Sequence, residues 1–373
     1  MRLFFLAALA VLLVAPASAQ TLELIGTVEV PTIPRPGAGE DRPEGSVGIP
    51  DVVGGSDVWP YIANDGEEYV IMGDVQGLTV VAVPSLEVVA HIDGPTQDAP
   101  FYWRDIKTYG SFAYVTTEAL GDYEGVMILD LRRLPHHVEV VGAVRGEDDR
   151  LVSSHNLSID TVTGHAWVLN SDGTEIVGLD LSNPVAPVEV GAVQVEDSHD
   201  VFARGDTLYI AEGRSPVFSV WDVADKANPV ELGRVAVPNP GYVHNIWPTD
   251  DGRHVMTTEE TADKSVKMWD ISDMENPTLV GEWLGASRLA HNVHIQGDYA
   301  FISHYSSGVY VVDVSDPANP VEVARFDTHP ENDDVAFYGN WGTTLPTPGG
   351  YIYASDLEGT LTVLKWDPNR LDG

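Results

Sequence analysis

Four histidines, His155, His199, His244 and His291, each stand directly before an Asp or Asn that leads a short apolar run. Neutral imidazole is a hydrogen-bonding group and a metal ligand. Mixed sets of imidazole and carboxylate suit zinc, manganese or iron, whereas calcium and magnesium take all-oxygen shells. The pattern extends beyond the histidines. Ser56-Asp57-Val58, Arg104-Asp105-Ile106, His155-Asn156-Leu157, His199-Asp200-Val201, His244-Asn245-Ile246, His291-Asn292-Val293 and Gly339-Asn340-Trp341 recur at intervals of 44 to 51 residues. A carboxylate or amide fixed in every unit (Asp57, Asp105, Asn156, Asp200, Asn245, Asn292 and Asn340) reads as a fold device that bonds backbone at a turn or in a neighbouring unit. The residue before it varies and is freer to carry function. Arg104, His155, His199, His244 and His291 are therefore the candidate ligand contacts.

A period of this length marks a repeat architecture. In the unit that begins at His291, the first strand is followed by a Gly297-Asp298 turn. The second is Tyr299-Ala300-Phe301-Ile302-Ser303 and the third Val309-Tyr310-Val311-Val312-Asp313-Val314. The turn Ser315 to Pro320 precedes an outer strand from Val321 to Phe326. Four strand signals in each of seven units predict an all-β, seven-bladed β-propeller. The last unit offers only three strands, and Leu22 to Val28 resembles the outer strand that is missing. Pairing the chain ends in one blade closes the ring and removes an exposed edge. Residues 22–30 are thus the expected closing strand, residues 31–55 a Pro- and Gly-rich crossing loop, and residues 20–373 one domain.

Antiparallel strands bring the start of the first strand and the end of the second to one rim. The second strands end at Asp74, Glu118, Glu212, Glu259, His304 and Asp356. The expected metal set at this channel mouth is His199, His244 and His291 with Glu118, Glu212 and Glu259. Asp130, Asp180, Asp222, Asp270 and Asp313 end third strands at the opposite rim and read as turn residues.

These residues carry a family resemblance. Third strands ending in Asp, such as Val311-Val312-Asp313, resemble LVIVD repeats. Tyr102-Trp103-Arg104-Asp105-Ile106-Lys107, Ala113-Tyr114-Val115, Ser198-His199-Asp200-Val201, Ala290-His291-Asn292 and Phe337-Tyr338-Gly339-Asn340-Trp341 are similar to the choice-of-anchor B family. The resemblance implies an exported or surface-displayed bacterial propeller and no established reaction. The chain departs from it by ending at Trp366 to Gly373 without a sorting signal or hydrophobic tail, which speaks against surface attachment.

Residues 1–19 read as a signal peptide, with Arg2, an apolar stretch from Leu3 to Val14, and Ala17-Ser18-Ala19 before Gln20. A secreted or periplasmic protein without a membrane span is expected. The net charge of −37 argues against nucleic acid and anionic membranes as partners. Cysteine is absent, so neither a disulfide nor a cysteine nucleophile is available. No His-Glu-x-x-His, nucleophile elbow or phosphate loop occurs. The expectation is a monomeric binding or scaffold module for a small polar ligand, saccharide or protein, with a divalent cation at the channel mouth. The alternative is a metal-dependent extracellular hydrolase using the same His/Glu-lined mouth.

Overall fold

The computed structural model describes residues 20–35, 38, 47–95 and 103–370. The signal-peptide reading, and residues 36, 37 and 39–46 of the expected crossing loop, lie outside them. Seven antiparallel four-stranded sheets follow one another along the chain. Blade 1 runs from Gly55–Ile62 to Glu87–Asp93, blade 2 from Arg104–Tyr109 to Glu139–Val144, and blade 3 from Ser154–Asp160 to Val188–Gln194. Blade 4 runs from Asp200–Arg204 to Val230–Ala236, blade 5 from Val243–Pro248 to Thr278–Trp283, and blade 6 from Val293–Gln296 to Val321–Phe326. Blade 7 is Asn340–Thr343, Tyr351–Asp356 and Thr360–Lys365, with Glu23–Glu29 as its outer strand. The ring is therefore closed by the N-terminal strand, as the sequence predicts. Gln20 and Thr21 add a short parallel pairing to the outer strand of blade 6.

Burial explains the strand order. Middle strands are covered on both faces by neighbouring blades, so they read as apolar runs: Val309–Asp313 is buried as far as Val312. Outer strands such as Val321–Phe326 are covered on one side, and there Ala324 alone is buried. The core consequently lies between blades. Met256, Val266 and Met268 of blade 5 pack on Ile302, Tyr310 and Val312 of blade 6. Tyr353 and Leu361 of blade 7 meet Val58 and Met72 of blade 1 across the closure. Glu68 strengthens that seam by accepting from the Thr347 hydroxyl at 2.6 Å and the Gly349 N–H at 2.7 Å.

Two sets of Asp position the rims. At third-strand ends, Asp180, Asp222, Asp270 and Asp313 each accept the N–H two residues on, at 2.7 to 2.9 Å. Asp130 does so at 3.0 Å. On the inner strands the repeated Asp or Asn reaches the next blade. Asp57 accepts from Ile106 N–H, Asp105 from Leu157, Asn156 from Val201, and Asn245 from Val293, at 2.7 to 3.1 Å.

Candidate functional site: an imidazole belt on the channel axis

The inner strands start with an irregularity that periodicity alone does not reveal. Ser154 pairs with Asn170 but Asn156 with Leu169, so His155 is an extra, bulged residue. His244 is the same kind of extra residue between Val243 and Asn245. A bulge re-aims a side chain without shifting the strand beyond it. Here it lets His and the following Asn both line the channel. Blade 7 varies the device. Gly339 has a φ of +67°, and a Cβ there would lie 2.8 Å from His329 Cβ, so the position that carries His elsewhere is closed to a side chain. The bulged Trp341 fills the gap.

The result is an arc of six aromatic rings. Ring centroids are separated by 5.6 Å from Trp103 to Trp341, 4.6 Å from Trp341 to His291, and 4.2 Å from His291 to His244. His244 to His199 is 3.9 Å and His199 to His155 is 4.4 Å. This belt lines two chambers of the channel. The upper, about 490 Å³, is walled by Val53, Phe337 and Leu357 and contains Glu260 and Tyr305. The lower, about 290 Å³, contains the Asp/Asn ring and the next inward-facing residues of the same strands.

The hydrogen bonds decide which nitrogen is available. His155 Nδ1 lies 2.6 Å from Glu118 Oε1, His291 Nδ1 2.6 Å from the Trp341 carbonyl, and His199 Nδ1 3.2 Å from the His244 carbonyl. Each of these oxygens can only accept, so each Nδ1 carries a proton. In a neutral ring that leaves a lone pair on Nε2. His155 Nε2 and His199 Nε2 then face each other at 2.9 Å. Two lone pairs at that distance repel and call for a cation beside them, a proton or a metal. His291 Nε2 and His244 Nε2 each approach a Glu260 oxygen at 3.9 Å.

Electrostatics divide the belt. Burial pushes His291 down to about 3 and His244 well below its ordinary value, so both are neutral. Burial also pulls on His199, but its contact with Asp200 and the Asp200 and Glu260 charges outweigh that, and its pKa is raised. Glu260 is raised by burial despite a hydrogen bond from Tyr305. Two clusters have donor atoms within 4.8 Å of one another: His155, His199 and Asp200; and His244, Glu260 and His291.

The sequence-predicted set is thus brought together only in part. His155, His199, His244 and His291 converge, and Glu118 orients His155 from behind. Glu212 is buried against Arg234, and Glu259 takes Lys267 and the Gly241 N–H. Neither borders the chambers, and neither belongs with the imidazoles. A further carboxylate at the belt is Glu260, one residue past the strand end. Arg104 lines the lower chamber, but its guanidinium is buried and donates to the Asp74 carbonyl. Burial lowers its pKa to about 10. Of the other rim residues, Asp74 caps its own turn, Asp356 accepts from Thr328, and His304 is held by Ser287 and Gly285. Trp103, Trp341 and Glu260 were not singled out as site residues by the sequence.

Fold and channel define a seven-bladed propeller with an axial site. Within it, the family model described as "LVIVD repeat" matches residues 287–328, the whole of blade 6, so that segment is an LVIVD repeat. No curated protein matches the sequence. Solved structures similar to this chain include "Crystal Structure of Mitotic Checkpoint Complex", at 14% identity and TM-score 0.64, covering 98% of each chain. "Crystal structure of RRP9 WD40 repeats" matches at 11% and 0.64, covering 93% of this chain and 99% of that one. "Structure of U3-55K" matches at 11% and 0.61, covering 84% and 96%. Such identities carry the propeller fold alone.

Proposed function

We propose that this protein is an exported binding propeller whose imidazole belt coordinates a divalent transition metal at the floor of the upper chamber. The observation that carries this reading is the commitment of three Nδ1 atoms to acceptors, which leaves their Nε2 lone pairs for a cation. Metal-binding histidines are usually oriented in this way by a carboxylate or carbonyl behind the ring. Glu118 and the carbonyls of His244 and Trp341 occupy that position. The mostly apolar upper chamber would then receive a small ligand with a polar end directed at the belt. Export as a monomer is part of the proposal and rests on the resemblance, the leader-like N-terminus and the acidic composition. Among the described residues no helix is long and apolar enough to cross a membrane.

Glu260 favours a second reading, hydrolysis, because a raised carboxylate beside a metal can take a proton from bound water. Turnover of an ester, phosphoester, lactone or glycoside that depends on metal and is lost in Glu260→Gln would select the hydrolase. Stoichiometric metal without turnover selects the binding module.

The test is elemental analysis of untagged protein purified without chelator, followed by calorimetric titration with ZnCl₂ and MnCl₂. Saturable binding is expected, and it should be lost in the His199→Gln/His244→Gln double variant while the blades remain folded. Protonation competes with metal. Because the His199 pKa is raised, affinity should already fall as the pH drops through values somewhat above 6.5. Absence of binding by either ion, or unfolding of both the double variant and His155→Gln, would make the belt structural.

A further inference from the structure

The lower chamber carries a second pattern that does not depend on metal. Trp59, Lys107, Ser158, Phe202, Trp247 and His294 each stand two residues beyond a ring Asp or Asn. A two-residue step returns a strand to the same face, and all six line the chamber. The aromatic members adjoin. Ring centroids lie 4.2 Å apart for Phe202 and Trp247, 4.5 Å for Trp247 and His294, and 6.3 Å for His294 and Trp59. Trp59, Phe202 and Trp247 are only half-buried.

The polar groups among them are specific in charge. Lys107 is held by Asp57 and Asp105, with its ammonium 4.3 Å over the Trp59 ring. It therefore offers no unneutralised positive charge to an anion. Asp57, Asp105 and Asp200 would repel a carboxylate. Two uncharged hydrogen-bonding groups stand among the six. His294 keeps only 6% of its surface, and its Nδ1 has no hydrogen-bond partner among the described residues. Burial, with the Lys107 charge adding to it, holds that imidazole neutral, at about 3. Ser158 accepts the Ala203 N–H at 2.9 Å and retains its own hydroxyl proton. A buried orphan nitrogen is costly unless a ligand or water meets it.

We propose that the lower chamber is a binding site for a neutral hexopyranose. One C–H face of the sugar lies against Trp247 and Phe202, and its hydroxyls meet His294 Nδ1 and the Ser158 hydroxyl. A ring of this kind presents apolar faces and a hydroxyl rim, the combination the chamber offers. A flat hydrocarbon would leave His294 and Ser158 unmet. At about 290 Å³ the chamber lies at the small end of ligand pockets, roughly 300–1,000 Å³. That favours one sugar unit over an oligomer.

The experiment is ligand-observed saturation-transfer NMR on the full folded chain after chelator treatment, which removes the metal question. The probes are the methyl glycosides of glucose, galactose and mannose, with glucuronate as the charged control. At least one neutral glycoside should bind saturably in the millimolar range, and glucuronate at least about tenfold more weakly. Loss of a stacking ring in Trp247→Ala or Phe202→Leu should weaken binding by about tenfold. Phe202→Leu carries the test if Trp247→Ala does not fold. The proposal is overturned if no neutral glycoside binds at tens of millimolar, if glucuronate binds as well, or if binding survives in the folded ring variants.

Discussion

The inner strands carry two rings of side chains one residue apart, and the two are spent differently. The Asp/Asn ring is consumed by the fold: Asp57, Asp105, Asn156 and Asn245 each accept a backbone N–H from the following blade. The imidazole belt is anchored on only one side. Three of its four Nδ1 atoms are engaged, His244 Nδ1 having no hydrogen-bond partner among the described residues, and its Nε2 atoms point at one another or at Glu260. Repetition thus marks what joins the blades, while departure from repetition marks what is left for a ligand. Asn292 Oδ1 and Asn340 Oδ1, buried without a partner among the described residues, mark where the blade-to-blade link lapses beside Trp341.

Breaking the two rings separately should give unequal losses. Asp105→Ala would strip a carboxylate from Lys107, the Asn156 amide and the Leu157 N–H at once. Removing one partner of a buried pair costs roughly 3–5 kcal/mol, to be read from urea unfolding. His155→Gln, on the belt, should cost no more than about 1 kcal/mol. Equal losses would erase the distinction.

His304 sharpens the comparison, because both of its nitrogens are used: Nδ1 lies 2.7 Å from the Ser287 hydroxyl, and Nε2 accepts the Gly285 N–H at 3.2 Å. Burial lowers its pKa from 6.5 to about 4. The unfolded chain therefore takes up this proton first as the pH falls. Native stability should be intact above about 6.5 and lost progressively toward 4, on the order of 3 kcal/mol from this group. His304→Gln should lack that loss, so the stability difference between the two proteins should narrow between pH 7 and 4.5. A constant difference would mean that His304 is not held neutral.

A small effect also belongs to the turn Asp residues of the opposite rim. Asp222 holds one exposed N–H, that of Ala224, and Asp222→Ala should cost about 0.5–1.5 kcal/mol. A loss as large as that of Asp105→Ala would show that the two kinds of repeated Asp are not distinguishable by function.

The architecture was legible because strand propensity, turn residues and the Asp/Asn period all agree in each unit. The closing strand was legible because Leu22 to Val28 matches outer strands that need a partner. The belt carboxylate Glu260 was not. Glu259 and Glu260 are adjacent, and the last strand position turned inward to Lys267 while the residue beyond it reached the axis. Two-residue periodicity also fails at a bulge, which is why Trp341 was read only as the apolar residue after Asn340. Arg104 occupies a His-equivalent position in the repeat but is bound to the Asp74 carbonyl, a long-range contact that no local pattern encodes.

The central claim is that belt Nε2 atoms hold a metal, and X-ray absorption at the zinc edge of the zinc-titrated protein tests it most directly. The account predicts at least two imidazole nitrogens at about 2.0–2.1 Å, reduced in His199→Gln. A shell of oxygen atoms alone, or a spectrum unchanged by that substitution, would contradict it.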